Sequence, residues 1–289
     1  MMFQETMQHS VHDLYPIHLA TWDREDLEAS IQRRAQVVPV AHDLVLARVL
    51  TRQKLFLRPS DLGFGCHVMM DGYWEMWLTR FLARTVQPGM RVVDVGANFG
   101  YYTTLLADIV GASGAVLAIE PNPDAVALLQ RSVQLNGYAP YTQIRHTALG
   151  RHPDGAATLF IPESEPKNAA LGTAAGRPGQ EIEVPITNLD SVTQAAGPID
   201  FIKIDAEGGE EQIIAGMEWL LSSAPPRLVL EFNALRGQDP AAMLTRLQTV
   251  YGTIAEINFD ADVEPVTMEN LLTIRRGEDR LLYFDRDYD

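Results

Sequence analysis

The chain has 289 residues, 46% of them hydrophobic, and its 38 acidic against 23 basic side chains give a formal net charge of -15. That length and apolar content suit one elaborated domain, and the acidic balance argues against a nucleic-acid partner, whose phosphates call for a basic surface. The single cysteine, Cys66, rules out an internal disulfide, no run approaches the roughly 20 apolar residues of a membrane span, and Glu5, Asp13 and two histidines ahead of any apolar run do not make a cleavable signal, so a cytoplasmic protein is expected.

In chain order, residues 1–55 read as an N-terminal helical extension. Leu27, Ile31 and Ala35 fall at helical spacing, Pro39 breaks the pattern, and Ala41 to Leu50 is a second apolar helix candidate. Packing against the core, or contact in a homodimer, is its expected work. From Met90 the pattern becomes β-rich runs alternating with helical stretches, which signals a parallel sheet with helices on both faces. The strands are expected at Arg91 to Val95, Ala115 to Glu120, Thr142 to Ala148, Asp200 to Asp205 and Arg227 to Phe232, with two closing strands at Thr253 to Asn258 and Leu281 to Phe284. Helices are expected at Tyr101 to Val110, Pro123 to Leu135, Gly209 to Ser222 and Ala241 to Val250; Pro123 suits a first turn and Asn136-Gly137 a stop. An insertion at about 151–197 separates the third and fourth strands. Strand-like pieces at Ala157 to Ile161 and Glu181 to Ile186 flank a Gly-, Ala- and Pro-rich segment, Pro162 to Gln180, which reads as a mobile tip over an acceptor site.

The chemistry concentrates where strands run into glycines. Val92-Val93-Asp94-Val95-Gly96-Ala97-Asn98-Phe99-Gly100 is a buried strand leading through a two-glycine turn into a helix. Glycine is needed where the backbone bends sharply or lets a ligand touch the main chain, and this is the carboxyl edge at which such sheets bind ligands. A dinucleotide fingerprint would be G-x-G-x-x-G with pyrophosphate on the helix N-terminus. Here three residues separate the glycines and Asp94 precedes them, a carboxylate that would repel pyrophosphate and attract the cationic amine and sulfonium of S-adenosylmethionine. Glu120, in Glu120-Pro121-Asn122-Pro123, suits a ribose clamp, although an acid before proline is also a helix-capping group.

A second acidic cluster follows. Lys203-Ile204-Asp205-Ala206-Glu207-Gly208-Gly209-Glu210 ends the fourth strand and Glu231 ends the fifth, which places Asp205, Glu207 and Glu231 as candidate proton acceptors for an acceptor hydroxyl. Glu207 and Glu210 equally suit a helix start. Three acids invite a magnesium site, yet no further ligand cluster stands at telling spacing and no metal is expected. His67 is an alternative base.

These motifs resemble the FkbM family of S-adenosylmethionine-dependent methyltransferases. The likeness begins at Asp61-Leu62-Gly63 and Asp71-Gly72-Tyr73-Trp74-Glu75, continues through Asp94 to Asn98, Gly100-Tyr101-Tyr102-Thr103, Glu120 to Pro123 and Leu135-Asn136-Gly137, and is most specific at Lys203 to Glu210. The resemblance implies a class I Rossmann-like methyltransferase domain over 56–289, α/β with a mostly parallel seven-stranded sheet. It also implies O-methylation of a sugar, glycan or secondary-metabolite hydroxyl, with Tyr73, Trp74 and Glu75 near the active cleft; these three and His67 are expected on the acceptor side. The residues expected to touch the cofactor are Asp94, Gly96, Ala97, Asn98, Gly100, Tyr101, Glu120, Pro121, Asn122, Ala148 and Asp205. The competing readings are a silent module that binds the cofactor for a partner, a nicotinamide-type oxidoreductase, and a methyltransferase acting on nitrogen or carboxylate oxygen.

Overall fold

In the computed structural model, which describes residues 13–163 and 165–288, the chain opens with α1 (Pro16–Thr21) and α2 (Arg24–Gln32). The stretch containing Glu5 lies outside the described residues. Asp23 caps α2 by accepting the Glu25 N–H, and Leu27 and Ile31, one turn apart, are buried. The helix expected over Ala41 to Leu50 is instead part of a three-stranded antiparallel meander, β1 (Gln36–Ala41), β2 (Leu44–Val49) and β3 (Gln53–Leu57). Val45, Ala47 and Val49 are buried and their neighbours less so, a period of two. In a run this short that alternation of β-branched residues outweighs the apparent helical spacing. The extension is therefore half sheet, and the boundary expected at residue 55 falls inside β3. The Phe56 and Lys54 N–H groups donate to Ser132 Oγ and Asn136 Oδ1 at 3.1 and 3.0 Å, which stitches the meander to the main body.

After α3 (Gly65–Asp71) and α4 (Met76–Thr85) come β4 (Arg91–Val95), α5 (Tyr101–Val110), β5 (Ala115–Glu120), α6 (Pro123–Leu135) and β6 (Thr142–His146). The third expected strand breaks at Thr147: β7 (Ala148–Leu149) leaves the main sheet to pair with the insertion. That insertion comprises β8 (Gly155–Pro162), β9 (Ala170–Leu171) and β10 (Gly179–Thr187), a second sheet in the order β7-β10-β8-β9. The tip expected to be irregular thus carries a strand of its own. Then follow α7 (Leu189–Thr193), β11 (Phe201–Ile204), α8 (Glu210–Ala215), α9 (Glu218–Ser223), β12 (Arg227–Phe232), α10 (Pro240–Tyr251), β13 (Ala255–Ile257), β14 (Val263–Pro265) and β15 (Arg280–Phe284).

The main sheet has eight strands in the order β14-β13-β15-β12-β11-β4-β5-β6, one more than expected, because the short β14 joins its edge. Strands β6, β5, β4, β11 and β12 are parallel and β15 is antiparallel to β12. One face packs on a core with α4, α5, α6 and the N-terminal elements, the other on a core with α8, α9 and α10. The single helix expected over Gly209 to Ser222 is two. The first ends at Gly216, where an added Cβ would overlap the Gly150 carbonyl and only glycine fits, and Asp190 caps the second by accepting the Trp219 and Leu220 N–H groups at 2.7 and 3.0 Å. No helix among the described residues is long and apolar enough to cross a membrane.

Candidate active site

From β4 the chain moves outward to β5 and β6, then returns to β11 on the other side of β4. The gap between β4 and β11 is thus a topological switch point, where parallel sheets open a crevice at their carboxyl ends. A cleft lies there, with Leu159, Pro166, Lys167, Ala169 and Leu171 of the insertion along its roof.

The turn after β4 is shaped by contacts within the chain. At Gly96 (φ 74°) an added Cβ would overlap the Asp205 carbonyl oxygen, and at Gly100 (φ 97°) it would lie 2.5 Å from Leu129 Cδ1. Gly96 therefore lets the turns after β4 and β11 touch, and Gly100, expected at the cofactor, instead lets α5 approach α6 and does not line the cleft. The backbone donors of the turn are also engaged. Gly96 and Ala97 N–H both donate to the Ile119 carbonyl at 3.0 and 3.1 Å, Gly100 N–H to Ala97 at 2.9 Å, and Asn98 N–H to Glu120 Oε2 at 2.8 Å. Four donors that a pyrophosphate loop would present outward are thus used inside the protein.

Glu120 closes this wall. Its other oxygen accepts the Asn122 N–H at 2.8 Å, and burial pushes its carboxyl up to about 7 against the lowering by both backbone donors. The cap of α6 is Asn122, whose side chain accepts the Asp124 N–H, so Glu120 is free of that duty. Ala97, Asn98, Tyr101, Pro121, Asn122 and Ala148 line the cleft beside it. Asp94, expected at the cofactor, does not line the cleft. It is fully buried, accepts from Thr103 Oγ at 2.6 Å and sits 3.7 Å from Lys203 Nζ. Side chains of a strand alternate between faces, and Asp94 lies in register with Lys203 on the face covered by α5.

Asp205, Glu207 and Glu231 come together on the opposite wall. Asp205 is held 3.2 Å from Lys203 Nζ. Glu207 and Glu231 share Arg236 Nη1 at 3.3 and 2.7 Å. Burial, then the Asp205 charge, push Glu207 up to about 7, with Arg236 pulling the other way; the same two causes raise Glu231. The Glu210 carboxylate does more than face a helix end: it accepts Ala206 and Gly208 N–H at 2.8 and 3.0 Å and so braces the turn that carries Glu207. Glu75, Asn98 and Glu207 all line the cleft with φ of 36°, 48° and 50°. Non-glycine residues there cost on the order of 1 kcal/mol each, a strain that concentrates at functional sites.

Of the residues expected on the acceptor side, Trp74 and Glu75 line the cleft. The Trp74 ring meets Phe64 edge-on at 5.3 Å and lies under Lys167 Nζ at 5.4 Å. Glu75 accepts the Tyr102 hydroxyl at 2.6 Å, and burial raises its carboxyl. His67 and Tyr73, expected here, do not line the cleft. His67 packs 5.7 Å from Trp74, and Tyr73 faces Glu28 of α2, its phenol pushed up to about 12 by burial and the Glu28 and Asp71 charges. Lys203, Lys167 and Tyr102 were absent from the expected set. A lone lysine inside the apolar strand Phe201 to Ile204 was the available signal for the first. Among the described residues no group of three or more His, Cys, Asp or Glu is placed to hold a metal ion.

A mostly parallel sheet with helices on both faces, a glycine turn at its switch point and acids at the neighbouring strand ends define the class I methyltransferase fold. Residues 94–258, more than half of the chain, match the family described as the methyltransferase FkbM domain, and the chain belongs to that family. It is 27% identical over 142 residues to protein-L-isoaspartate O-methyltransferase 1 of Arabidopsis thaliana, covering 45% of this chain and 60% of that protein. It is 36% identical over 87 residues to protein-L-isoaspartate O-methyltransferase of Aeropyrum pernix, covering 30% and 32%. The chain thus spans 60% or less of these relatives' length. A crystal structure of methyltransferase FkbM from Methylobacillus flagellatus aligns with a TM-score of 0.44 at 18% identity, over 68% of this chain and 43% of that one.

Proposed function

We propose that this chain binds S-adenosylmethionine and transfers its methyl group to a hydroxyl of a small-molecule or glycan acceptor. The observation that carries this reading is the convergence of Glu120 on one wall of the cleft with Asp205, Glu207 and Glu231 on the other. The donor set fits the cofactor. Glu120 offers its remaining lone pairs to ribose hydroxyls, Pro121, Ala148 and Leu149 give an apolar slot for a base, and Asp205 offers charge to an ammonium or sulfonium. A dinucleotide is poorly served, because the turn's N–H groups are engaged and Lys203 is committed to Asp94 and Asp205.

When bound, S-adenosylmethionine supplies an electrophilic methyl carbon and a sulfur leaving group. The protein's part is to hold an acceptor oxygen about 3 Å from that carbon, away from water, and to take the hydroxyl proton as the oxygen–carbon bond forms and the carbon–sulfur bond breaks. Glu207 suits the proton transfer: a carboxyl held near 7 is about half ionised at neutral pH, and its carboxylate is basic enough to help. A carboxylate acceptor, which the names of the relatives suggest, would enter as an anion beside three acids whose arginine is already shared. A hydroxyl acceptor meets no such repulsion. Calorimetry with S-adenosylmethionine against NAD, followed by transfer of labelled methyl to sugars and hydroxylated small molecules, tests the proposal. Affinity for NAD without affinity for S-adenosylmethionine would overturn it, and cofactor binding without transfer to any component of a cell extract would favour a silent module.

A further inference from the structure

Lys203 stands mid-strand in β11, only 2% exposed, between two carboxylates and an aromatic ring. Its Nζ lies 3.2 Å from Asp205 Oδ2, 3.7 Å from Asp94 Oδ1 and 4.7 Å from the Tyr102 ring centroid. Burying an ammonium inside a sheet costs several kcal/mol unless its partners are well placed, and an apolar residue would fill the position more simply. The two partners are unlike. Asp94 is sealed and already bonded to Thr103, whereas the Asp205 side chain is 32% exposed and lines the cleft.

Five acids act on Asp205, and the site's other cations, Lys167 and Arg236, act in turn on Glu207. Glu75 approaches from the start of α4, Glu207 and Glu210 from its own turn, Glu231 from β12 and Asp94 from β4. The Tyr102 phenol of α5 faces it too. Repulsion from these neighbours would turn a free carboxylate toward solvent, and Lys203 is the cation bonded to it from behind.

We infer that Lys203 is a positioning residue, which anchors one oxygen of Asp205 so that the other faces the cleft to receive the ammonium of the cofactor's amino-acid end. Burial draws the lysine down and the Asp205 and Asp94 charges raise it further, so it stays cationic. The inference rests on the cofactor reading above. It also divides the ligand, because Lys203 then serves the amino-acid end while Glu120 serves the nucleoside end.

Two probes separate these ends. S-adenosylhomocysteine carries the ammonium, and 5′-methylthioadenosine shares the adenine, ribose and thioether without it. Calorimetry on Lys203→Met should show S-adenosylhomocysteine weakened about 10- to 100-fold, the range for a lost charge-assisted hydrogen bond, with 5′-methylthioadenosine within about twofold of wild type. Asp205→Asn should show the same pattern, and Lys203→Met added to it should cause no further loss. Because Lys203→Met strands two acids, Asp94→Asn/Lys203→Met provides a second background in which a buried pair is removed together. Equal weakening of both ligands in either background would reduce Lys203 to a structural role and overturn the inference. Wild-type protein that binds neither ligand would overturn the cofactor reading as well.

Discussion

Replacing Gly96 with alanine separates two reasons for a glycine at this turn. The added Cβ would overlap the Asp205 carbonyl oxygen, and the residue holds φ 74°. The left-handed conformation costs about 1 kcal/mol for an L-residue, and forcing two backbone segments apart in a packed interior costs about 1 to 3 kcal/mol more. If the turn yields, the Gly96 and Ala97 bonds to Ile119 and the Asp205 N–H bond to Val95 at 3.2 Å lengthen as well. The expected loss is therefore about 2 to 4 kcal/mol, a large share of the roughly 5 to 15 kcal/mol that holds a domain folded. Urea unfolding should show a lower midpoint at unchanged slope. Because Asp205 shifts with the turn, affinity for S-adenosylmethionine should fall alongside the stability. An unchanged midpoint together with abolished cofactor binding would refute this reasoning and make the glycine a place for ligand.

Glu207→Gln should lower turnover by about 10²- to 10⁴-fold, the usual span for a lost general base, with calorimetric cofactor affinity within a few-fold; full activity would remove it from the mechanism. Thr103→Val should destabilise by about 1.5 to 3 kcal/mol in chemical denaturation, since buried Asp94 loses the donor at Oδ2 while its Oδ1 already has no hydrogen bond. Glu120 and Glu207 are both raised from 4.5 to about 7, so the folded protein holds more protons than the unfolded chain between those values. The ligand-free protein should thus lose stability as pH rises through that window, visible as a lower melting temperature at pH 8 than at pH 5, and a reversed order would contradict these burial effects.

The sheet from β4 to β12 was legible because each strand is a short apolar run bounded by glycine, proline or acids, a pattern that leaves few alternatives. The meander was not, because Ala41 to Leu50 satisfies two periods at once and only pairing with β3 decides between them. The need for glycine at 216, where the helix ends, is set by Gly150, a distant residue that no local pattern reports. At the site, the acids at the strand ends could be named from the sequence. Which of them face the cleft could not, because one position along a strand exchanges faces: Asp94 turns inward while Val95 and Gly96 reach the cleft. Lys167 was hidden for another reason, since it lies in the insertion and meets Trp74 across about ninety positions of chain.

The feet of the insertion are joined, with Gly155 opposite Ile186 and Ala156 opposite Pro185. A loop grown between two residues already paired adds closure entropy only with the logarithm of its length, and none of that growth displaces the ends of β4, β5 or β11. The roof of this cleft can accordingly be lengthened, trimmed or exchanged as a unit while the strand ends beneath it keep their shape.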